Sequence, residues 1–296
     1  MAAIAVSGLR KAYGEVQAVK GVDFSVERGE VFGLLGPNGA GKTTIVEILE
    51  GYRKRDAGEV SVLGQDPQHA GRSLRARVGL VLQELAVPAA LTVRELVEMY
   101  RGYYPAPRST AEILEVVGLS EKADSRVKTL SGGQQRRVDL ALGLVGDPEL
   151  IFLDEPTTGF DPSARRNAWE IVRSMRSLGK TIVLTTHYMD EAQALCDRIC
   201  VVARGEVVAS GSPQTLRGGT AALTRIRFSL PGGLDPATLP VKATLDSGAV
   251  AVETSAVVAT LNAVTSWAMQ RDIELHDLEV SRPSLEDVYL ELTRDE

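Results

Sequence analysis

Alternating and continuous apolar stretches follow each other along the first 50 residues. Residues 4–9 and 22–26 alternate apolar with polar side chains, which is typical of half-buried strands. Residues 31–35 form a continuous apolar run, the pattern of a strand that is covered on both faces. A glycine-rich stretch comes next, and residues 42–49 then carry apolar side chains at helical spacing. Strand, tight loop and helix in this order predict a phosphate-binding unit.

The middle of the chain changes to a helical period and then returns to strands. Apolar positions between residues 93 and 145 recur at helical spacing, and the proline-containing stretch 103–107 interrupts them with a predicted loop. Apolar runs typical of parallel strands follow at 150–153, 181–184 and 199–202. The pattern therefore predicts an α/β core with a helical insertion.

Gly218 and Gly219 form a predicted linker between a large first domain and a small second one. Beyond them, short strand patterns and helical patterns predict a small α/β domain. The strands are predicted at residues 225–230, 249–253 and 273–280, and the helices at 256–269 and after Pro283. The predicted boundaries are 1–217 for the first domain, about 85–146 for its helical subdomain and 220–296 for the second domain.

Composition and charge narrow the class of protein. The 296 residues are 44% hydrophobic and 24% charged, which is ordinary for a folded globular protein. A net charge of −6 argues against broad binding of nucleic acid or anionic lipid. We find no run of about 20 apolar residues that could span a bilayer. Two cysteines, Cys196 and Cys200, are interpreted as buried reduced thiols, with a metal pair or a redox switch as the alternative. We expect a cytosolic protein.

The glycine-rich stretch after residue 35 fits the pattern Gly, four residues, Gly-Lys-Thr. Its glycines allow backbone N–H groups to surround phosphate oxygens, and the following helix directs its positive end at the same anion. Lys42 is predicted to reach the β- and γ-phosphates of a nucleotide, and the Thr43 hydroxyl to hold Mg²⁺. A plain glycine-rich turn is the alternative. The predicted phosphate-binding residues are Gly36, Pro37, Asn38, Gly39, Ala40, Gly41, Lys42, Thr43 and Thr44.

Two acidic residues follow the apolar run 150–153. At a strand end beside the phosphate loop, Asp154 is predicted to hold Mg²⁺, directly or through water. Glu155 is then predicted to polarise the attacking water as a general base. A solvated acidic pair is the alternative, although so apolar a strand predicts burial.

A serine and two glycines open a predicted helix in the insertion, in the sequence Leu130-Ser131-Gly132-Gly133-Gln134. A helix start of this kind can bind an anion, although taken alone it is more often an ordinary N-cap. One nucleotide does not need two such sites in one subunit. The economical hypothesis is that this helix start closes over the γ-phosphate that a second subunit holds.

These motifs together resemble the ATP-binding cassette (ABC) family, whose signature is Leu-Ser-Gly-Gly-Gln. The resemblance covers about residues 5–212, with Phe160 standing where the family commonly has Leu. It implies a P-loop NTPase (RecA-like) core that carries an inserted helical subdomain. It also implies four further site residues: Tyr13 for adenine stacking, Gln83 for contact with Mg²⁺ and the membrane partner, Asp161 in the loop after the acidic pair, and His187 for the γ-phosphate.

The resemblance implies an ATPase that uses ATP and Mg²⁺ and works as a head-to-tail dimer. The partner would be a second copy of the chain or a paralogous ATP-binding subunit. Each ATP would contact Lys42 and Glu155 of one chain and Ser131 and Gly133 of the other. Glu155, His187, Lys42 and Gln83 would be catalytic, and Ser131, Gly132, Gly133 and Gln134 would bind the nucleotide. Separate transmembrane permease subunits would complete a transporter, with this subunit peripheral at the cytoplasmic face of the cell membrane and no nucleic acid as partner.

Other functions remain as alternatives to transport. DNA-linked relatives place coiled-coil arms between cradle and signature, but only 89 positions separate Lys42 from Ser131. Translation-linked relatives usually carry two cassettes, and this chain has one. The tail at 281–290 resembles export ATPases of the daunorubicin-resistance type, which implies export of drugs, antibiotics or other hydrophobic compounds. An importer, or an exporter of lipid or polysaccharide, is left open, as is a stabilising, dimerising or regulatory role for the tail.

Overall fold

A computed structural model describes residues 2–81, 88, 90–217, 223–231, 236–246, 249–281 and 289. Contacts divide the chain into two compact units, residues 1–213 and 214–296. The predicted linker at Gly218 and Gly219 lies outside the described residues, and of the helix predicted after Pro283 only Tyr289 is described.

A six-stranded sheet with helices around it forms the centre of the first unit. The strands of this unit are β1 (Ala2–Tyr13), β2 (Val16–Glu27), β3 (Val31–Leu35), β4 (Ala57–Val62), β5 (Val78–Val81), β6 (Leu150–Asp154), β7 (Thr181–Thr186), β8 (Arg198–Ala203) and β9 (Glu206–Gly211). Its helices are α1 (Lys42–Leu49), α2 (Gly71–Arg75), α3 (Val93–Arg101), α4 (Thr110–Val116), α5 (Gly132–Leu144), α6 (Pro162–Ser177) and α7 (Met189–Leu195), and α8 (Pro213–Leu216) lies at the boundary.

The order of the strands in this sheet is β5-β6-β7-β3-β8-β9. All pairs are parallel except β8 with β9. Every residue of β3 is buried, as its continuous apolar run predicts. The carboxyl ends of β3, β6 and β7 lie side by side, which is where ligands collect in open α/β sheets.

The predicted opening strands pair in a separate antiparallel sheet of order β2-β1-β4. Both opening strands are longer than their alternating patterns, because bulges let the pairing continue past the apolar positions. The apolar faces of this sheet and of the central sheet share one core, in which the Phe24 and Phe32 rings stack with centroids 5.4 Å apart.

The helical insertion contains α3, α4 and α5, with the predicted loop between the first two. A capping box begins each helix, and its residues are Thr92 with Glu95, Ser109 with Glu112 and Ser131 with Gln134. Each box satisfies backbone N–H groups that a helix start leaves unpaired.

The second unit is a four-stranded antiparallel sheet with a helix packed on it. Its elements are β10 (Thr224–Ser229), β11 (Thr244–Asp246), β12 (Ala249–Thr254), α9 (Val257–Gln270) and β13 (His276–Ser281), and the sheet order is β11-β12-β10-β13. The prediction that the last strand begins at residue 273 is wrong by three residues. Ile273 and Leu275 pack against the core of this unit, so their apolar character reflects burial without strand pairing.

Both cysteines are buried and free, as predicted. Burial raises the pKa of Cys196 well above its usual value and that of Cys200 to about 12. Both thiols therefore stay protonated at neutral pH. Separately, none of the helices in the described part of the chain has the length and apolar character that crossing a membrane requires.

Candidate active site

The phosphate loop lies between the end of β3 and the start of α1. Gly39 and Gly41 have positive φ angles of 81° and 104°, which side chains disfavour. A Cβ atom on Gly36 would lie 2.2 Å from the Val202 carbonyl oxygen, and one on Gly41 would lie 2.4 Å from that of Ala18. The glycines therefore permit both the turn and its close packing against neighbouring strands.

A cleft of about 380 Å³ opens over this loop. Its walls contain backbone and side chains of the loop together with the two acids that end β6. The lining residues are Ala18, Pro37, Asn38, Gly39, Gly41, Lys42, Thr43, Thr44, Asp154 and Glu155. The structure thus brings the predicted phosphate and metal residues of the loop together with the predicted acids. We call this space the phosphate cleft.

Lys42 points back over the loop. Its Nζ donates hydrogen bonds to the carbonyl oxygens of Gly36, at 2.7 Å, and Pro37, at 3.1 Å. Burial lowers the pKa of the Lys42 ammonium, and the carboxylates of Glu155 and Asp154 oppose that shift. The ammonium is therefore held by weak, exchangeable acceptors at the place where phosphate oxygens would replace them.

Asp154 and Glu155 share Thr185 as a partner on the neighbouring strand β7. The Thr185 hydroxyl donates to the Asp154 carboxylate and accepts from the Glu155 N–H at 3.0 Å. The Glu155 N–H also reaches the Thr185 carbonyl oxygen at 3.2 Å. Glu155 has a φ of +43°, a left-handed conformation that costs a residue with a side chain about 1–2 kcal/mol. The strand end is thus fixed in a strained shape, a feature typical of functional sites.

His187 contacts the predicted general base directly. Its Nδ1 lies 3.2 Å from Glu155 Oε1, while the Thr158 hydroxyl donates to Glu155 Oε2 at 3.0 Å. His187 directly follows β7, and its side chain is about one-third exposed. The histidine and the carboxylate together can hold a water or a phosphate oxygen at the mouth of the phosphate cleft.

A third carboxyl group lies near this acidic pair. Glu50 ends α1, and burial raises its pKa to about 8, with smaller contributions from Asp154 and Glu47. The carboxyl is therefore mainly protonated at neutral pH.

Tyr13 lies beside the phosphate loop and is 41% exposed. Its hydroxyl is 3.5 Å from Thr44 Oγ1. The Arg53 guanidinium lies 5.2 Å and the Lys11 ammonium 5.6 Å from the centre of its ring. The ring is therefore accessible next to the phosphate cleft, and an aromatic face in this position can stack on a nucleobase.

The signature residues line a second cleft of about 660 Å³, which we call the signature cleft. The lining includes the predicted nucleotide-binding residues Ser131, Gly132, Gly133, Gln134 and Asp161. Ser131 Oγ accepts from the Gln134 N–H at 3.3 Å, and Asp161 Oδ1 accepts from two N–H groups at the start of α6. In the described part of the chain, the two clefts have no lining residue in common.

Arg136 connects α5 to the end of β6. Its side chain is buried and donates to the Pro156 carbonyl oxygen at 3.2 Å, with a longer contact of 3.5 Å to that of Asp154. It also pairs with Asp139 at 3.4 Å. Burial raises the pKa of Asp139 to about 6, and Arg136 opposes that shift. The signature helix therefore contacts the backbone on both sides of Glu155.

Several residues that contact the site were not predicted. Thr185 and Thr158 make hydrogen bonds with the acidic pair, and Arg136 contacts the backbone on both sides of Glu155. Buried Glu191 accepts from Thr157 at 2.8 Å and from Trp169 at 3.1 Å. A polar residue at the end of an apolar strand was the available signal for Thr185. The predicted contact of Gln83 with Mg²⁺ lies outside the described residues.

The phosphate cleft offers suitable ligands for Mg²⁺. Thr43 and Asp154 both line it, and hard oxygen donors such as a hydroxyl and a carboxylate are the ligands that this ion prefers. The Lys42 ammonium and the loop N–H groups complement the phosphates that would share the ion. The residues present therefore fit Mg²⁺ bound together with a nucleotide.

Comparison with known proteins identifies the family of this site. The ABC transporter family matches residues 19–158, and a C-terminal domain found in similar proteins matches residues 224–284. The chain is 38% identical to a daunorubicin resistance ATP-binding protein from Streptomyces coeruleorubidus, over 99% of this chain and 96% of that one. It is 47% identical to Nod factor export ATP-binding protein I from Ralstonia nicotianae, over 72% and 68% of the two chains.

Solved structures show the same relationship. One is cbiO1 from Clostridium perfringens, part of an ABC transporter complex, with a TM-score of 0.66 and 29% identity over 74% of this chain and 92% of that one. A dimeric ATP-binding cassette in a post-hydrolysis state with ADP and Pi gives 0.62 and 28%, over 71% and 98%. The predicted family, its P-loop NTPase fold and its ATPase activity are confirmed. The chain belongs to the ATP-binding subunits of ABC transporters.

Proposed function

We propose that this chain is the motor ATPase of an exporter and that it works in a head-to-tail dimer at the cytoplasmic face of the membrane. The dimer would drive separate transmembrane permease subunits. Residues 1–217 would form the nucleotide-binding domain, with its helical subdomain at about 85–146, and residues 220–296 an accessory domain. The cargo would be a drug, an antibiotic or another hydrophobic compound.

The contact between Glu155 and His187 carries the catalytic part of this proposal. Both side chains lie beside the cleft that contains Lys42, where the γ-phosphate of ATP would bind. Glu155 would accept a proton from the attacking water, and His187 would donate a hydrogen bond to the γ-phosphate. Lys42 would leave its loop carbonyls for phosphate oxygens, and Tyr13 would stack on adenine.

Mg²⁺ would be held by Thr43 and Asp154, with Gln83 as a further ligand. When bound, the ion supplies neutralisation of the charge that develops on the phosphates. The Thr185 hydroxyl would keep the Asp154 carboxylate aimed at that position.

The separation of the two clefts supports the dimer. Ser131, Gly133 and Asp161 line a cleft of their own in the same chain, so they are placed to close over the nucleotide of a partner. Gly132 and Gly133 begin α5 directly after Ser131, and a helix start of this kind suits a phosphate arriving from outside. The partner would be a second copy or a paralogue.

The named relatives support export. A daunorubicin resistance protein matches this chain over nearly its whole length, including the second unit. A Nod factor export protein matches over 72% of the chain. The full-length match favours a drug-like cargo over the other classes.

The dimer and the base are tested together with Glu155→Gln. Loss of the general base is expected to reduce ATP turnover by about 10²–10⁴-fold while ATP affinity is kept. With ATP and Mg²⁺, this variant is expected to sediment as a dimer in analytical ultracentrifugation, whereas the ADP form stays monomeric. Glu206→Gln, an exposed glutamate on β9, is the matched control. A strictly monomeric ATP-bound variant would contradict the dimer, and wild-type turnover would contradict the assignment of Glu155.

The cargo is tested in the source cells. Deletion of the gene is expected to increase retention of daunorubicin, wild-type protein to reverse it, and Glu155→Gln to leave it high. Unchanged retention after deletion would refute this cargo and leave the ATPase assignment intact.

A further inference from the structure

We propose that Arg165 is a positioning residue that sets the His187 ring through the intervening ring of Tyr188. This inference rests on the proposed role of His187. The sequence gives no hint of it, because Arg165 lies in α6 and His187 after β7, and only the fold brings them together.

The turn that carries His187 is short. β7 ends at Thr186 and α7 begins at Met189, so only His187 and Tyr188 lie between them. Tyr188 is at the N-cap position of α7, and its own side chain does not cap the helix. The Tyr188 N–H is bound by the Thr186 hydroxyl at 2.9 Å. Side-chain contacts from elsewhere are therefore needed to fix the direction of the histidine ring.

Ring contacts from α6 supply that constraint. The rings of His187 and Tyr188 have centroids 4.1 Å apart at an angle of 40°. The Arg165 guanidinium lies 4.3 Å from the centre of the Tyr188 ring, which is a close cation–π contact. The same guanidinium donates to Asp190 in the first turn of α7 at 3.0 Å.

The contacts form a continuous series from α6 to the general base: Arg165 to Tyr188, Tyr188 to His187, and His187 Nδ1 to Glu155 at 3.2 Å. The Arg165 side chain is only about one-fifth exposed, so its charge is partly shielded from water and its contact with the ring is strengthened. Without this cation, the Tyr188 ring would lose its support and the His187 ring would lose its fixed orientation beside Glu155.

Arg173 provides a matched control on the same helix. It lies two turns further along α6, pairs with Glu170 and donates to the Ala194 carbonyl oxygen of α7 at 3.3 Å. It therefore also connects α6 to α7, but far from the histidine turn.

The experiment measures ATP hydrolysis by Arg165→Met, Arg165→Lys, Tyr188→Ala, Tyr188→Phe and Arg173→Ala. Loss of a cation–π contact of this kind is expected to lower kcat between about 3-fold and about 30-fold, with KM for ATP little changed. Arg165→Lys and Tyr188→Phe keep a cation and a ring, so both are expected to retain most of the activity. Arg173→Ala is expected to behave like the wild type.

A second readout follows the histidine itself. The chain has three histidines, so a histidine-labelled sample gives a simple NMR spectrum. In Arg165→Met the His187 resonance is expected to move, while those of His69 and His276 stay in place. An unmoved His187 resonance, or a shift of equal size in Arg173→Ala, would overturn the inference.

A double variant separates this inference from the proposed function. If Arg165 acts through His187, then Arg165→Met in a His187→Ala background is expected to cause no further loss of kcat. Full additivity would overturn the role of Arg165 alone. Wild-type turnover by His187→Ala would instead overturn the proposed role of His187, and this inference with it.

Discussion

The phosphate cleft and the signature cleft are both formed around helix starts, but their side chains are used differently. In the phosphate cleft, Lys42 contacts loop carbonyls that phosphate oxygens can replace, while Thr185 binds one oxygen of the Asp154 carboxylate and leaves the other for an ion. In the signature cleft, Ser131 and Asp161 are bound to their own helix N–H groups. The phosphate cleft therefore contains the proposed base and metal ligands, whereas the signature cleft offers hydrogen-bond donors to an anion. In the proposed function, the phosphate cleft would carry out the hydrolysis and the signature cleft would close over the nucleotide of a partner chain.

Lys42→Ala is the change that would test this division most strongly. Removing two charge-assisted hydrogen bonds to phosphate is expected to weaken ATP binding by about 10²–10³-fold. Isothermal titration with ATP measures the effect, and exposed Lys122→Ala is the control. Unchanged ATP affinity would show that the phosphate cleft is not the binding cleft.

Ser131→Ala tests the signature cleft, and the expected effect is smaller. The variant is expected to bind ATP as a monomer with normal affinity but to lower turnover and ATP-dependent dimerisation by about 10–100-fold, since one hydrogen bond to a charged group is lost. Ser109→Ala is the matched control, because Ser109 caps α4 with the same kind of capping box. Both variants are expected to lose about 1 kcal/mol of stability. Equal turnover in the two variants would mean that Ser131 is only a helix cap.

Glu50→Gln tests the electrostatics beside the acidic pair, and it is the change with the smallest expected effect. The pKa of folded Glu50 is about 8, whereas an unfolded glutamate titrates near about 4.3. Between these values the folded chain keeps a proton that the unfolded chain has lost, so this residue makes the free energy of unfolding fall as the pH rises.

The variant lacks this titration. The difference in free energy of unfolding between the variant and the wild type, measured by urea denaturation, is expected to rise by about 2 kcal/mol between about pH 5.5 and about pH 7.5. Exposed Glu59→Gln is the control. A difference that does not change with pH would refute the raised pKa of Glu50.

Much of the fold follows from local patterns. The strand Val31–Leu35 and the helix Lys42–Leu49 have the predicted bounds. Burial on both faces gives the strand a continuous apolar run, and the glycine-rich loop defines where the helix begins. The strand β5 was not predicted, because its four residues are too few to give a clear pattern of apolar positions. Ile273 was placed in a strand because apolar character alone does not distinguish packing from pairing.

In the site, the motif residues could be predicted from the sequence, but the contacts that support them could not. Motif spacing leads to Lys42 and to the acidic pair, and the family resemblance leads to His187. The role of Thr185 depends on the register that pairs Asp154 with Thr185 across β6 and β7, which no local pattern contains. The support of His187 by Arg165 likewise depends on the packing of two helices.

The left-handed backbone at Glu155 has a consequence for how this protein could change over time. A glycine there would adopt the same conformation without steric cost, but the chain would lose the carboxylate that binds Thr158 and contacts His187. At this one position, a relaxed backbone and ATP turnover therefore favour different residues. If selection for ATP turnover were lost, replacement of Glu155 by glycine would relieve the backbone strain and leave a subunit without the proposed base.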